Sequence, residues 1–411
     1  MLQTEQNKIG FFDYSFLFCT IIIAGRASEF ARSFGSLTSL CTYIILFFSI
    51  VSFAKHKPQS ASGYTRALAF AMGYITLLFI VNRFIAPGNY VNWFIYLTVA
   101  FSLYCCLKDK LMEAYENVIF ILCIIAILLW IAYIIFPNVV LSIMYRFRFS
   151  ESYSDTIETV NSLIFTIHPE SNYNESYFSL PRNSGFAWEP GAFSCFINFA
   201  IYSNALRTNF RIKGNLKLII LLIALLTTQS TTGLLIFMLM LMVWLITSKG
   251  FKYLILVIPA VLFLWSQNFV GLKFMDEFNS VTTYANDDVG RLSSFLIYFE
   301  DFKQHPIFGG LGNKESYIFQ SGYAEHLFSG LGQMLSYYGL VFTSIFIFCT
   351  LRNSKYHNEL YNTKNGLLLL VVMIGTLISY NFWTQPLVIC FWLSFLFGNF
   401  KTQDSSNIVY E

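Results

Sequence analysis

Charge is what this chain has least of. Only 12% of its 411 residues are Asp, Glu, Lys or Arg, against 56% hydrophobic residues and a mean hydropathy of +0.57. An average soluble domain carries roughly 25% charged residues. Because the apolar residues arrive in long blocks, a soluble fold is excluded and an all-α polytopic membrane protein is predicted. Cysteine is missing where it would carry structural meaning. The 8 cysteines, Cys19, Cys41, Cys105, Cys106, Cys123, Cys195, Cys349 and Cys390, fall in or at the ends of apolar segments and none lies in the long polar stretches. Neither a disulfide framework nor a zinc site is expected. No convincing cleavage site follows the first apolar block, so that block is read as a retained first helix. The formal charge of +3 means little as a total, since what matters is where Lys and Arg lie relative to the spans, and no nucleic-acid partner is implied.

At about 20 apolar residues per crossing, the spans read as 9–25, 34–54, 64–85, 89–107, 117–136, 187–206, 215–228, 231–248, 251–268, 326–350, 364–380 and 384–400, about twelve in all. They form one integral membrane domain, 1–411, with two long polar loops at 137–186 and 269–325. With the N-terminus inside, most of the 26 basic residues fall in inside segments, among them Lys55, Lys57, Lys108, Lys110, Arg207, Arg211, Lys213 and Lys217. Both termini are therefore expected in the cytoplasm and both loops outside.

The stretch from Arg182 to Phe193 puts an arginine and a glutamate where a polar loop becomes an apolar helix. Pro190 suits the first helical turn and pushes Glu189 out of the α region, so Glu189 is expected at the helix cap. An anionic head group could dock on the free amides there. The same stretch also fits a plain capped helix with Arg182 reaching to the membrane surface. The runs Leu216–Thr228 and Leu234–Ile246 are each short for a crossing, so the turn Thr227 to Gly233 lies below the outer surface, buried by protein or lining a wet cavity, or forms an interfacial hairpin that satisfies its own helix ends.

In the first loop Glu151, Asp155, Glu158, Glu170 and Glu175 outnumber Arg146, Arg148 and Arg182, and the second loop is also net acidic, so any anion site must be local. Within the second loop, Asp288 to Gln304 reads as an amphipathic helix with Leu292, Phe295, Leu296, Phe299 and Phe302 on one face, lying on the membrane. His305-Pro306 ends it, ahead of a glycine-rich turn with no preceding strand, which argues against a nucleotide loop.

The order of these features resembles the O-antigen polymerase and O-antigen ligase superfamily of bacterial envelope glycosyltransferases. The blocks that carry the resemblance are Arg182, Gly185, Glu189 and Pro190; Ser230 to Gly233; Gly290-Arg291-Leu292; Pro306, Gly309 and Gly312; His326; and Gly339-Leu340, across roughly residues 180–340. Ser230-Thr231 stands where Ser-Arg is often found, and Leu327 follows His326 where ligases usually have a polar residue. Both departures favour a polymerase.

The resemblance implies a GT-C-like architecture and glycosyl transfer between undecaprenyl-diphosphate-linked oligosaccharides at the periplasmic face of the inner membrane. The expected partners are those lipids, the surrounding membrane and a chain-length regulator. Arg182 and Arg291 suit a leaving diphosphate, since guanidinium gives fixed two-donor contacts. Asn183, Gly185 and His305 are further substrate-binding candidates. Glu189 and His326 are both candidates for the base that takes the acceptor hydroxyl proton. No metal or other cofactor is expected, and Asp287-Asp288 is read as capping the loop helix. A ligase with the same residues and another acceptor, and a flippase of lipid-linked oligosaccharides, are the alternatives. His56, His168 and His357 read as solvated loop residues, and Asp13 as an intramembrane acid with no partner visible in sequence.

Overall fold

The computed structural model describes residues 9–25, 40–56, 61–83, 87–147, 160–168, 180–248, 250, 291–311, 327 and 329–398. The first half runs through α1 (Phe11–Gly25), α2 (Leu40–His56), α3 (Ser62–Asn82), α4 (Gly88–Leu107), a 3-10 turn (Lys108–Lys110), α5 (Leu111–Ile135) and α6 (Pro137–Arg146). A two-residue antiparallel ribbon follows, β1 (Val160–Asn161) and β2 (Thr166–Ile167), with Val160 opposite Ile167. The second half runs through α7 (Pro190–Thr208), α8 (Leu216–Thr227), α9 (Thr231–Ser248), α10 (Arg291–Gln304), α11 (Gly330–Tyr361), α12 (Leu368–Ser379) and α13 (Pro386–Phe397). Among the described residues the fold is all-α apart from that ribbon.

Four helical stretches among the described residues are long and apolar enough to cross a membrane: Ser62–Asn82, Gly88–Ile135, Thr231–Ser248 and Gly330–Tyr361. The second comprises α4, the 3-10 turn and α5, broken where Lys108 takes a left-handed φ of 46°. Large apolar side chains such as Phe47, Ile50, Ile80, Leu128 and Leu235 point outward, as they do in a fold surrounded by lipid rather than water.

The element at the centre is α7. Every residue from Pro190 to Leu206 is buried, with α5, α8, α9 and α12 packed around it. Such complete enclosure lets it carry Ser194, Asn198, Ser203 and Asn204, which would be costly facing lipid. Pro190 opens it and Asn209, in the left-handed region, closes it. Asn215 caps α8 by accepting from the Leu218 amide, and Ser329 caps α11 by accepting from Gly332.

Several sequence expectations are corrected. The helix expected at 117–136 starts at Leu111, which draws Glu116 inside it. The loop expected from 137 opens with α6. The span expected at 326–350 is α11 and continues to Tyr361, with a kink at Gly339 (φ 72°, ψ −176°). That kink lets the backbone of Ile307 to Gly309 approach, because a Cβ on Gly339 would lie 2.4 Å from the Ile307 oxygen. The span expected at 251–268 lies outside the described residues. Helix α10 buries Ser293, Ser294, Ile297, Tyr298 and Asp301, the face opposite the one its apolar pattern favoured. Small side chains allow the close approach to α11, where Gly332 meets Tyr298, and Asp301 accepts from the Ser336 hydroxyl. Phe299 instead stacks on Phe295, meets Phe302 at a tilt, and is itself exposed.

Polar contacts gather at the two ends of α7, whose 19 residues span about 28 Å. Toward its C-terminus lie Glu116 with Arg207 and Asn204, and the shared Asn204–Asn215 bond. Asp13 is not alone: it accepts from Lys55 and lies 2.9 Å from His56 Nε2. Toward the N-terminus of α7 lies the cluster described next.

Candidate functional site

The segment before α7 is fixed by its own backbone. Asn183 bonds the hairpin after α8 twice, its amide to the Thr227 carbonyl and its side chain to the Thr227 hydroxyl. Its Oδ1 then accepts from the Gly185 amide, turning the chain. Gly185 has φ +50°, and a Cβ there would fall 2.6 Å from the Phe193 ring, so only glycine fits. The sequence placed Asn183 and Gly185 as binding residues; the structure makes both of them buried shapers of the turn.

Glu189 is the N-cap, with extended φ/ψ of −150° and 158°, and its carbonyl accepts from Phe193. Its side chain does not cap the helix. It reaches Arg291 at the start of α10 instead, with Nη2 to Oε1 at 3.0 Å. The same Nη2 donates to the Tyr380 hydroxyl at 2.6 Å, Nη1 donates to Thr232 Oγ1 at 3.1 Å, and the guanidinium stands 4.8 Å over the Tyr380 ring. Gly191 makes the space, since a Cβ there would lie 2.0 Å from the Tyr380 hydroxyl. Trp188 meets Tyr380 and Phe382 edge-on, forming an aromatic wall beside the pair.

Arg182 is half-buried and donates through Nε to the Thr228 carbonyl at 3.3 Å. Thr228, Gln229 and Ser230 are buried, so the hairpin turn is enclosed by protein and also satisfies itself: Thr227 and Thr228 hydroxyls donate to Ala224 and Leu225, and Ser230 accepts from Gly233. Gly233 lets Ser194 of α7 pack directly on it.

Sequence reasoning missed His168, read as solvated. The Thr166 amide donates to the Gly185 carbonyl at 2.7 Å, which docks the ribbon on the segment before α7. His168 then lies against the Trp188 backbone, within electrostatic reach of Glu189 and Arg182. Burial drives its pKa below the ordinary histidine value; Glu189 opposes this and Arg182 adds to it. Burial likewise raises the Glu189 carboxyl, but Arg291, the Tyr380 hydroxyl, Arg182 and His168 together outweigh it and hold Glu189 below the ordinary glutamate range. Glu189 is an ionised acceptor and a weak base while Arg291 holds it. The sequence also missed Tyr380 and Thr232. Their signals were faint: a polar aromatic where two apolar runs meet, and one of several hydroxyls in a turn.

His305 is not brought to this cluster. It ends α10, about 20 Å along the helix from Arg291, where Gly310 packs on its ring. His326 and Gly312 lie outside the described residues. Away from this cluster, at the start of α1 and the ends of α2 and α4, donor atoms of Asp13, His56 and Cys106 lie within 4.8 Å of one another, a grouping of metal-ligand types among the described residues. Lys55 already supplies a cation to that carboxylate at 2.9 Å.

No family model matches the chain, and no curated protein matches it.

Proposed function

We propose that this chain is a surface-polysaccharide polymerase, joining repeat units carried on undecaprenyl diphosphate at the periplasmic face of a bacterial inner membrane. It is a metal-independent glycosyltransferase with about twelve spans in a GT-C-like arrangement and both termini cytoplasmic. One observation carries this reading. Three motif blocks far apart in sequence, Arg182 to Glu189, Ser230 to Gly233, and Arg291, meet in one cluster of two arginines, one carboxylate and the hydroxyls of Thr232 and Tyr380. A fourth and fifth, Pro306 to Gly309 and Gly339-Leu340, also pair, with Leu340 donating to the Pro306 carbonyl.

The chemistry follows from those groups. A hydroxyl of the acceptor sugar attacks the anomeric carbon of the donor, the bond from that carbon to the diphosphate oxygen breaks, and undecaprenyl diphosphate leaves with the bonding pair. Arg291 and Arg182 stabilise the leaving charge. Glu189, held ionised, orients Arg291 and the acceptor rather than taking the proton. His326 is the candidate base from the sequence. Membrane lipids and a chain-length regulator are the proposed partners, and no nucleic acid takes part.

The test is purified full-length protein in nanodiscs given undecaprenyl-diphosphate-linked repeat units. Ladders of longer glycans are expected from the parent and none from Arg291→Ala. A lipopolysaccharide gel of a deletion strain separates the alternatives: a single repeat unit on the core supports polymerisation, and no repeat at all overturns it in favour of a ligase or flippase.

A further inference from the structure

The start of α1 and the ends of α2 and α4 meet at a group of side chains that glycosyl transfer does not use. Asp13 of α1 is buried, and the Gly10 amide fixes its Oδ2 at 2.9 Å, which leaves Oδ1 for the other helices. His56 of α2 lies with Nε2 at 2.9 Å from that oxygen, and Lys55 brings its ammonium to the same oxygen at 2.9 Å. Cys106 of α4 completes the group, because its Sγ and the donor atoms of Asp13 and His56 all lie within 4.8 Å of one another. One carboxylate oxygen, one imidazole nitrogen and one sulfur, each from a different helix, converge there.

Zinc bonds to such atoms at about 2.0–2.3 Å, which sets neighbouring tetrahedral ligands about 3.3–3.6 Å apart. The 2.9 Å contact and the 4.8 Å limit bracket that spacing, so small side-chain shifts reach it. A mixed oxygen, nitrogen and sulfur set is zinc chemistry, whereas magnesium and calcium take oxygen. The surroundings fit the same ion. The Ser52 hydroxyl donates to the Ser102 carbonyl and lies 2.9 Å from Cys106 Sγ, so it accepts from the thiol and can turn to donate to a thiolate. Lys55 is the resident cation, and with 43% of its side chain exposed it can move to water without unpacking the helices. The exchange conserves charge. Asp13 with Lys55 is neutral, and so is a divalent ion with one carboxylate, one thiolate and a neutral imidazole, which avoids an uncompensated charge at a buried site.

We propose that Asp13, His56 and Cys106 bind a divalent cation of the zinc class, which replaces Lys55 and ties the start of α1 to the ends of α2 and α4. Three metal–ligand bonds form, the Cys106 proton passes to solvent, the Lys55 ammonium moves to water, and a water takes the fourth position. No electron is transferred. The site shares no residue with the anion cluster and stands whatever that cluster does. No spacing motif marks it in the sequence, since its ligands come from three separate helices.

The experiment uses full-length, tag-free protein in nanodiscs, with cobalt(II) as the spectroscopic probe and zinc(II) as its competitor. The parent is expected to show a thiolate-to-cobalt charge-transfer absorption that zinc(II) abolishes. Cys106→Ser, which keeps every other cysteine, is expected to lose that absorption, and His56→Gln to bind zinc(II) about 100-fold more weakly. A parent without the absorption, or an absorption that survives in Cys106→Ser, overturns the proposal. Lys55→Met removes the competing cation and leaves all three ligands, so the test stands even where Cys106→Ser folds poorly. It is expected to bind zinc(II) about tenfold more tightly than the parent, and affinity equal to or below the parent's overturns the exchange with Lys55.

Discussion

The helix Pro190–Thr208 has an acid–arginine pair at each end, Glu189 with Arg291 and Glu116 with Arg207, and the two differ in how they meet solvent. At the C-terminal end Glu116 is fully buried and its oxygens accept from Asn204 Nδ2 and from Nε and Nη2 of Arg207. At the N-terminal end both partners stay partly exposed. Both obey the helix dipole, acid ahead of the first turn and arginine in the last. The arginines are about equally exposed, so the difference lies in the acids: a buried, fully bonded carboxylate cannot lose its arginine without stranding a charge, whereas one that is a third exposed can give its arginine up to a ligand. The first suits a structural lock and the second a site.

The largest effect is expected at the lock. Arg207→Ala leaves the fully buried Glu116 without its cation and is expected to cost about 3–5 kcal/mol, seen as a steep loss of thermal stability in detergent. If its melting temperature matched that of Arg291→Ala, the contrast between the two ends would collapse. Arg291→Ala is expected to keep its fold and lose about 10²–10³-fold in transfer rate. Arg291→Lys is expected to recover little, because one ammonium cannot serve Thr232, Glu189 and Tyr380 with the same fixed fork.

Gly191→Ala tests the space rather than the charge. Its methyl would press the Tyr380 hydroxyl off Arg291, with about 1–3 kcal/mol of overpacking and a transfer rate between those of the parent and Arg291→Ala. The pH test is smaller. Because the Glu189 carboxyl is held below its ordinary 4.5, its contribution to stability is present above that value and is lost as the pH falls through the lower, folded-state value. Melting temperatures of the parent and Glu189→Gln are expected to converge only below about pH 4.5, and a constant gap down to pH 3.5 would remove the ion pair as the cause. Thr232→Val, which removes one hydrogen bond to Nη1, is expected to cost about 1 kcal/mol and to spare most of the transfer activity.

Much of the chain's local order was legible. Pro190 marked the start of α7, the Thr227 to Gly233 turn lies between α8 and α9, and α10 ends at Gln304 as its proline-bounded pattern required. Arg182, Glu189 and Arg291 were also visible as charges in costly places. Their partners were not. Nothing near Glu189 in sequence names Tyr380, and the weak Phe165 to His168 alternation gave no sign that His168 would dock beside Trp188. Asp13 found Lys55 and His56 only across a helix pair.

The sequence by itself determined where the chain is apolar, where proline sets a helix boundary, as at Pro190 and before Pro306, and which residues are chemically able to hold an anion, because those properties follow from solvation and backbone geometry over a few neighbouring residues. Only the tertiary structure decided that Arg291 holds Glu189 from 102 positions away, that the serine face of α10 is the buried one, and that one end of α7 is locked while the other is open. Those outcomes depend on which charges and small side chains meet once every helix has packed, and the cost of burying each is set by partners that lie elsewhere in the chain.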